Sequence, residues 1–321
     1  MTTMGGCYED KYSSRSYAPP AGHILHLQEF YAHADRSSLF AAYRSYAQRS
    51  TAGFIQEIVN LGKTRITKEF PEYELESKLE LWLDGTAGKR YSLKDIMDTF
   101  EFSPAPSARF VKDASNKESS GINYFFGTPE GEESFVLISK GGKWYLKEKG
   151  PRQKFDFGFP GEEYVFKRAE TRKETNPLEV AQAILKQYTD GKTNFIGGVS
   201  KDRVEAHLLQ TITGRIYSLT VDYIAREASA LPGMLQFEVE YAGRIERYPG
   251  MQPEAEEHTE KIIVDDILNV LKQIIFLHHG AQLPQGQRLQ IAPSQLRKFD
   301  FVQQRGEKVL VPVRSARSRR K

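Results

Sequence analysis

Apolar and polar residues alternate with a period of two along much of the chain, and the first instance is the plainest. Between Glu72 and Gly85, Tyr73, Leu75, Leu79 and Leu81 fall on one face of an extended chain, and Glu74, Glu76, Lys78 and Glu80 on the other. The same pattern predicts a hairpin around Gly141-Gly142 in FVLISKGGKWYLKEKG and a further strand in EEYVFKRAET. Later strands are expected in VSKDRVEAHLLQ, GRIYSLTVDYIARE and MLQFEVEYAGRI. Helical spacing appears elsewhere: Leu39, Tyr43, Tyr46, Phe54, Ile58 and Val59 predict one or two helices between Asp35 and Leu61. Asn176 and Pro177 open a predicted helix in NPLEVAQAILKQY. A closing amphipathic helix in HTEKIIVDDILNVLKQIIFLHH should pack Ile263, Ile267, Val270 or Leu271, and Ile274 on the body. Short strands at regular spacing, without an internal repeat, favour a barrel over a parallel α/β sheet.

Composition narrows the class without naming a chemistry. A chain of 321 residues, 39% hydrophobic, can build a real core. No run approaches the roughly 18 apolar residues of a membrane span, and the first thirty residues lack the order of a signal peptide, so an intracellular protein is expected. The single cysteine, Cys7, excludes a disulfide framework and a cysteine-based zinc site. The net charge of +3 is unevenly spread: residues 297–321 hold nine Lys or Arg against two acids, leaving −4 for residues 1–296. A basic tail of this kind attracts nucleic acid or carries a nuclear-import signal. The expected organisation is a disordered segment over 1–21, a body over 22–280 and a basic tail over 281–321.

The charged faces change the picture most. Glu238 and Glu240 share one face of a strand whose other face is Phe237, Val239 and Tyr241; Lys201, Arg203, Glu205 and His207 share another, and Lys143, Lys147 and Lys149 a third, beside Tyr145. A single strand of this kind belongs to an ordinary antiparallel sheet with one face in water. Two Glu-x-Glu pairs far apart in sequence are a stronger signal, because closing the sheet with these faces inward makes four carboxylates converge. Two bare carboxylates at about 5 Å, at an effective dielectric near 20, repel by roughly 3 kcal/mol, so the cluster needs protein cations or a metal ion. All-oxygen donors suit Mg²⁺ or Mn²⁺. Lys78, Lys147, Lys149, Lys201 and Arg203 would form a cationic zone suited to phosphate oxygens.

Glu74-x-Glu76-x-Lys78, followed much later by Glu238-x-Glu240, resembles the signature of the triphosphate tunnel metalloenzymes, the CYTH-like superfamily, over roughly residues 64–280. Within it, LDGTAGKRYSL, YVFKRAET, VSKDRVEAH and LQFEVEYAG are most similar to strands of the RNA 5′-triphosphatases of fungal, protozoan and viral mRNA capping. The resemblance implies a mainly antiparallel β (α+β) fold, an eight-stranded closed β-barrel tunnel braced by helices. It implies metal binding by Glu74, Glu76, Glu238 and Glu240 with Mg²⁺ or Mn²⁺, and triphosphate binding by Lys78, Lys147, Lys149, Arg168, Lys201 and Arg203. Of these, Glu76, Glu238, Lys78 and Arg203 are the expected catalytic set. Glu170 and Asp222 are further candidates; Ser218 takes the place of Asp222 in another register, and Lys167 points away from Arg168. The implied activity is metal-dependent removal of the γ-phosphate from the 5′-triphosphate end of RNA, in the nucleus. Because no Lys-x-Asp-Gly occurs, a separate guanylyltransferase would complete the cap. A class IV-like adenylyl cyclase, a small-molecule or inorganic triphosphatase, and a non-catalytic phosphate or RNA-binding tunnel remain alternatives. His278-His279 is expected to support a helix end rather than bind metal.

Overall fold

The computed structural model describes residues 66–84, 92–102, 109–112, 116–176, 179, 193–210, 212–226, 233–245, 256–284 and 286–303. The expected N-terminal segment, the helices between Asp35 and Leu61, most of the helix following Asn176 and residues 304–321 lie outside them. In chain order the elements are β1 (Ile66–Thr67), β2 (Tyr73–Asp84), α1 (Leu93–Thr99), β3 (Phe110–Lys112), β4 (Lys117–Gly127), β5 (Glu133–Lys140) and β6 (Lys143–Lys154). They continue with β7 (Val165–Thr175), β8 (Asn194–Gln210), β9 (Arg215–Arg226), β10 (Met234–Ile245), α2 (Glu256–His278), β11 (Arg288–Ser294) and α3 (Lys298–Gln303).

Eight antiparallel strands close on themselves in the order β2-β10-β9-β8-β4-β5-β6-β7 and back to β2. The seam is β2 against β10, where Lys78 stands opposite Glu238 and Glu76 opposite Glu240. On its other edge β2 pairs β7 through Tyr73–Ser77, then β11 from Lys78 to Asp84. Closure leaves the barrel itself no free edge.

The apolar core lies outside the barrel wall. Leu75, Leu79, Phe237 and Val239 point outward, into a layer with Ile263, Ile267, Leu271 and Ile274 of α2, and all are essentially inaccessible to water. Burial of each such side chain contributes roughly 1.5–3 kcal/mol. Val270 is buried too, so both residues named as alternatives at that position face the body. Ser92 caps α1 in a capping box with Asp95. At the end of α2, His278 packs edge-on against Phe100, and burial pushes its imidazole down to about 4. His279 bonds the backbone of Ile291 through Nδ1. Both histidines serve the helix end.

One expectation needs correction. Residues 281–284 and 286–303 belong to the folded body rather than to a basic tail. Leu289 and Ile291 of β11 are fully buried against β2, and Phe299 of α3 is fully buried as well. The concentration of Arg and Lys after residue 297 masked a short alternating strand whose backbone satisfies the open half of the β2 edge.

Candidate functional site

With the apolar residues turned outward, alternation forces charge inward. β2 presents Glu74, Glu76 and Lys78 to the interior, 4–5% exposed. β10 adds Glu238 and a half-buried Glu240; β6 adds Lys147 and Lys149; β8 adds Lys201 and Arg203. β7 contributes Arg168, while Lys167 points out to Glu260 at 2.5 Å and over the Tyr73 ring. On β9, Ser218, Thr220 and Asp222 share the inward face, so Asp222 and Ser218 do not exclude each other: Ser218 donates to Glu205 and Asp222 binds Arg203. The cavity between these strands holds about 930 Å³ of non-atom space, its mouth included.

The charges fall into two groups. In one, Lys78 Nζ lies 2.7 Å from Glu238 and 3.0 Å from Glu76, and Arg203 holds Asp222 through Nε at 2.6 Å and Glu238 through Nη2 at 2.8 Å. In the other, Lys147 bridges Glu74, at 3.1 Å, and Glu170. Arg168 spans both, at 3.4 Å from Glu74 and Glu76 and 3.0 Å from Glu133. Burial opposes ionisation of Glu76, yet Lys78 and Arg168 hold it at about 2. Glu238 and Asp222 are also held well below the usual carboxylate range against burial, Glu238 chiefly by Lys298 and Lys78, Asp222 chiefly by Arg203 and Lys201. Glu170, by contrast, is pushed up to about 7 by burial and its hydrogen bond with Glu74. Burial lowers Lys149, Arg152 and Lys201, each beside another cation.

No protein-family model matches the chain, and no curated protein matches it. Among solved structures, the PH1819 protein of Pyrococcus horikoshii OT3 aligns over 61% of this chain and 88% of its own, at 16% identity and a TM-score of 0.33. The S. pombe Pct1 RNA triphosphatase in complex with the Spt5 CTD aligns over 71% of this chain and 92% of its own, at 12% identity and a TM-score of 0.30. A second structure of that triphosphatase gives 10% identity and the same TM-score. The barrel described above stands on this chain's own strand pairings.

Several lining residues escape the sequence reading. Arg172 continues the inward face of Arg168 and Glu170, and extending that register would have found it. Arg152 breaks parity with Lys147 and Lys149, because a bulge at Gly150-Pro151 shifts the β6–β7 register and re-aims its side chain inward. Arg297 and Lys298 lie in the presumed tail. In all, eleven Lys or Arg line the cavity against five Glu, and counting the inward-facing Asp222 and Glu170, which pair with lining cations, the cations still exceed the acids by four.

Among the described residues no three acidic side chains stand together as a ready ligand set for a metal ion. Most of the inward carboxylates take Lys or Arg as counter-charge instead. Glu240 differs: it makes no hydrogen bond or ion pair with a described residue, and burial and nearby Glu74 push its carboxyl up. Lys147 and Lys68 draw the Glu240 carboxyl the other way, and oxygen donors of this kind suit a hard divalent cation rather than a soft one.

Proposed function

We propose that the tunnel hydrolyses the γ-phosphoryl group of a triphosphate, and that its substrate is the 5′-triphosphate end of RNA. The observation that carries the reading is the excess of cations over acids around the barrel cavity. Such an interior is costly without a polyanion and complementary to one with it. The Glu-x-Glu-x-Lys and Glu-x-Glu strands that the tunnel metalloenzymes resemble meet at the β2–β10 seam. The basic residues after 297 favour RNA over a small triphosphate.

In this reading Lys147, Lys149, Arg168 and Lys201 bind phosphoryl oxygens. Lys78 and Arg203, which reach both the acids and the cavity, offset the charge that develops on the transferred group. Glu74, Glu76, Glu238 and Glu240 would hold Mg²⁺ or Mn²⁺, which supplies Lewis-acid stabilisation of the phosphoryl oxygens when bound. Glu76 and Glu238 keep their charge at neutral pH, and one of the four glutamates would orient the attacking water. In-line attack at the γ phosphorus breaks its bond to the bridging oxygen, releasing phosphate and leaving a diphosphate end. A diphosphate end on RNA is the acceptor for guanylyl transfer by a separate capping partner, which sets the reaction in the nucleus.

The test is phosphate release from γ-labelled 5′-triphosphate RNA with Mg²⁺ or Mn²⁺, beside ATP and tripolyphosphate. Metal-dependent release from RNA that vanishes in Glu76→Ala and Glu238→Ala is the expected result. Release from small triphosphates alone would replace RNA with a small-molecule substrate, and cyclic AMP from ATP would make the protein a cyclase.

A further inference from the structure

Resting on the reading of the tunnel as a triphosphate site, we propose that residues 295–303 close one end of it and that Lys298 binds the terminal phosphoryl group there. The ligand must then carry a free phosphate end. Three sets of observations converge on this.

The segment crosses the end of the barrel from wall to wall. Its backbone accepts from Arg152 of β6 at Gln295 (2.9 Å), from Gln236 of β10 at Leu296 (3.0 Å) and from Arg226 of β9 at Phe301 (3.1 Å). Gln303 donates to the carbonyl of Gly131 in the β4–β5 turn at 3.2 Å.

Beneath it, Phe299 and Val302 form an apolar stopper with Phe125 and Val136, two residues that themselves line the cavity. The fit is close: a Cβ at Gly127 would come within 2.9 Å of the Phe299 ring, and one at Gly197 within 2.7 Å of Val302. The opposite end is different. There Arg172, Lys143 and His207 are exposed, and the cavity runs out to Arg172.

From the stopper, Lys298 reaches back into the cavity, with Nζ 2.7 Å from both Asp222 and Glu238. Arg152 lines the same end; its Nη2 stands 3.6 Å from Glu76, and its buried Nε and Nη2 make no hydrogen bond. A terminal phosphoryl group supplies what is missing, with one more oxygen and more charge than an internal phosphodiester. A polyphosphate esterified at both ends has no such group and no exit for its second nucleoside.

Equilibrium binding to the full chain tests this without turnover, using tripolyphosphate and a dinucleoside tetraphosphate as probes. Tripolyphosphate should bind, and the doubly blocked ligand should bind at least about ten-fold more weakly. Lys298→Gln should weaken tripolyphosphate by about ten-fold, with Lys298→Arg restoring it. Arg152→Gln, which strands neither Asp222 nor Glu238, is the second variant and should weaken the same ligand. Equal affinity for the two probes overturns the closed end, and unchanged affinity in both glutamine variants overturns the terminal site. No binding of tripolyphosphate overturns both. A tunnel that binds as expected yet releases no phosphate would instead overturn the hydrolytic reading and leave this one standing.

Discussion

Two groups of paired charge sit on opposite sides of the same barrel wall. Outside, between the wall and α2, Asp266 accepts from Arg109 and from the Tyr217 hydroxyl at 2.7 Å each, and Arg109 also reaches Asp265 at 2.7 Å. Inside, Glu238 and Asp222 share Lys78, Arg203, Lys201 and Lys298. The outer group is compact, and helix and sheet are locked together by it. The inner group surrounds open space and carries more cations than its acids neutralise. Buried ion pairs are expensive in both places, so pairing alone says little about function. What separates architecture from site is surplus charge facing a cavity.

The sharpest way to break this contrast is Arg203→Met. Removing the guanidinium takes three charge-assisted hydrogen bonds from Asp222 and Glu238, which keep Lys78, Lys201 and Lys298 as counter-charge, so denaturant melts should show a loss of about 1–3 kcal/mol, and phosphate release should fall by about 10²–10³-fold. Next comes pH. His278 is depressed to about 4 in the fold, so its contribution is present above the unfolded value near 6.5 and is lost as pH falls toward 4. About 3 kcal/mol should disappear across that window in acid melts, and His278→Gln should flatten it. The tunnel acids act in a lower window: Glu76, held at about 2, contributes above its unfolded value near 4.5 and loses that contribution as pH falls through 2. Third, tripolyphosphate at about 100 times its Kd should stabilise the protein by about 2.7 kcal/mol in thermal shift assays. The smallest effect belongs to the outer group. Asp266→Asn should cost about 1–3 kcal/mol in melts, leave the ligand shift intact and hold phosphate release within about two-fold of the parent chain.

Much of this was legible because a strand has a strict period. Once Leu75, Leu79, Phe237 and Val239 were taken as one face, the positions of Glu74, Glu76, Glu238 and Glu240 followed, and the barrel with them. Parity also separates Arg168 from Lys167, though only closure tells which of the two is inside. It fails where the backbone departs from alternation: the Gly150-Pro151 bulge hid Arg152. It fails again where composition overshadows pattern, as at Lys298, whose neighbours read as a basic tail. The ion pairing itself was not legible, since which lysine meets which glutamate depends on inter-strand register.

The seam between β2 and β10 also sets when this protein can exist during its own synthesis. Lys78 and Glu238 meet across 160 positions of chain. Until β10 has left the ribosome, β2 has no partner on that edge and the two Glu-x-Glu pairs remain strangers. Such distant pairing makes for slow folding, since a long loop must be ordered before the contact rewards it. Closing that seam is therefore also the step that brings the two Glu-x-Glu strands together, and a chain truncated before β10 lacks the assembled cavity.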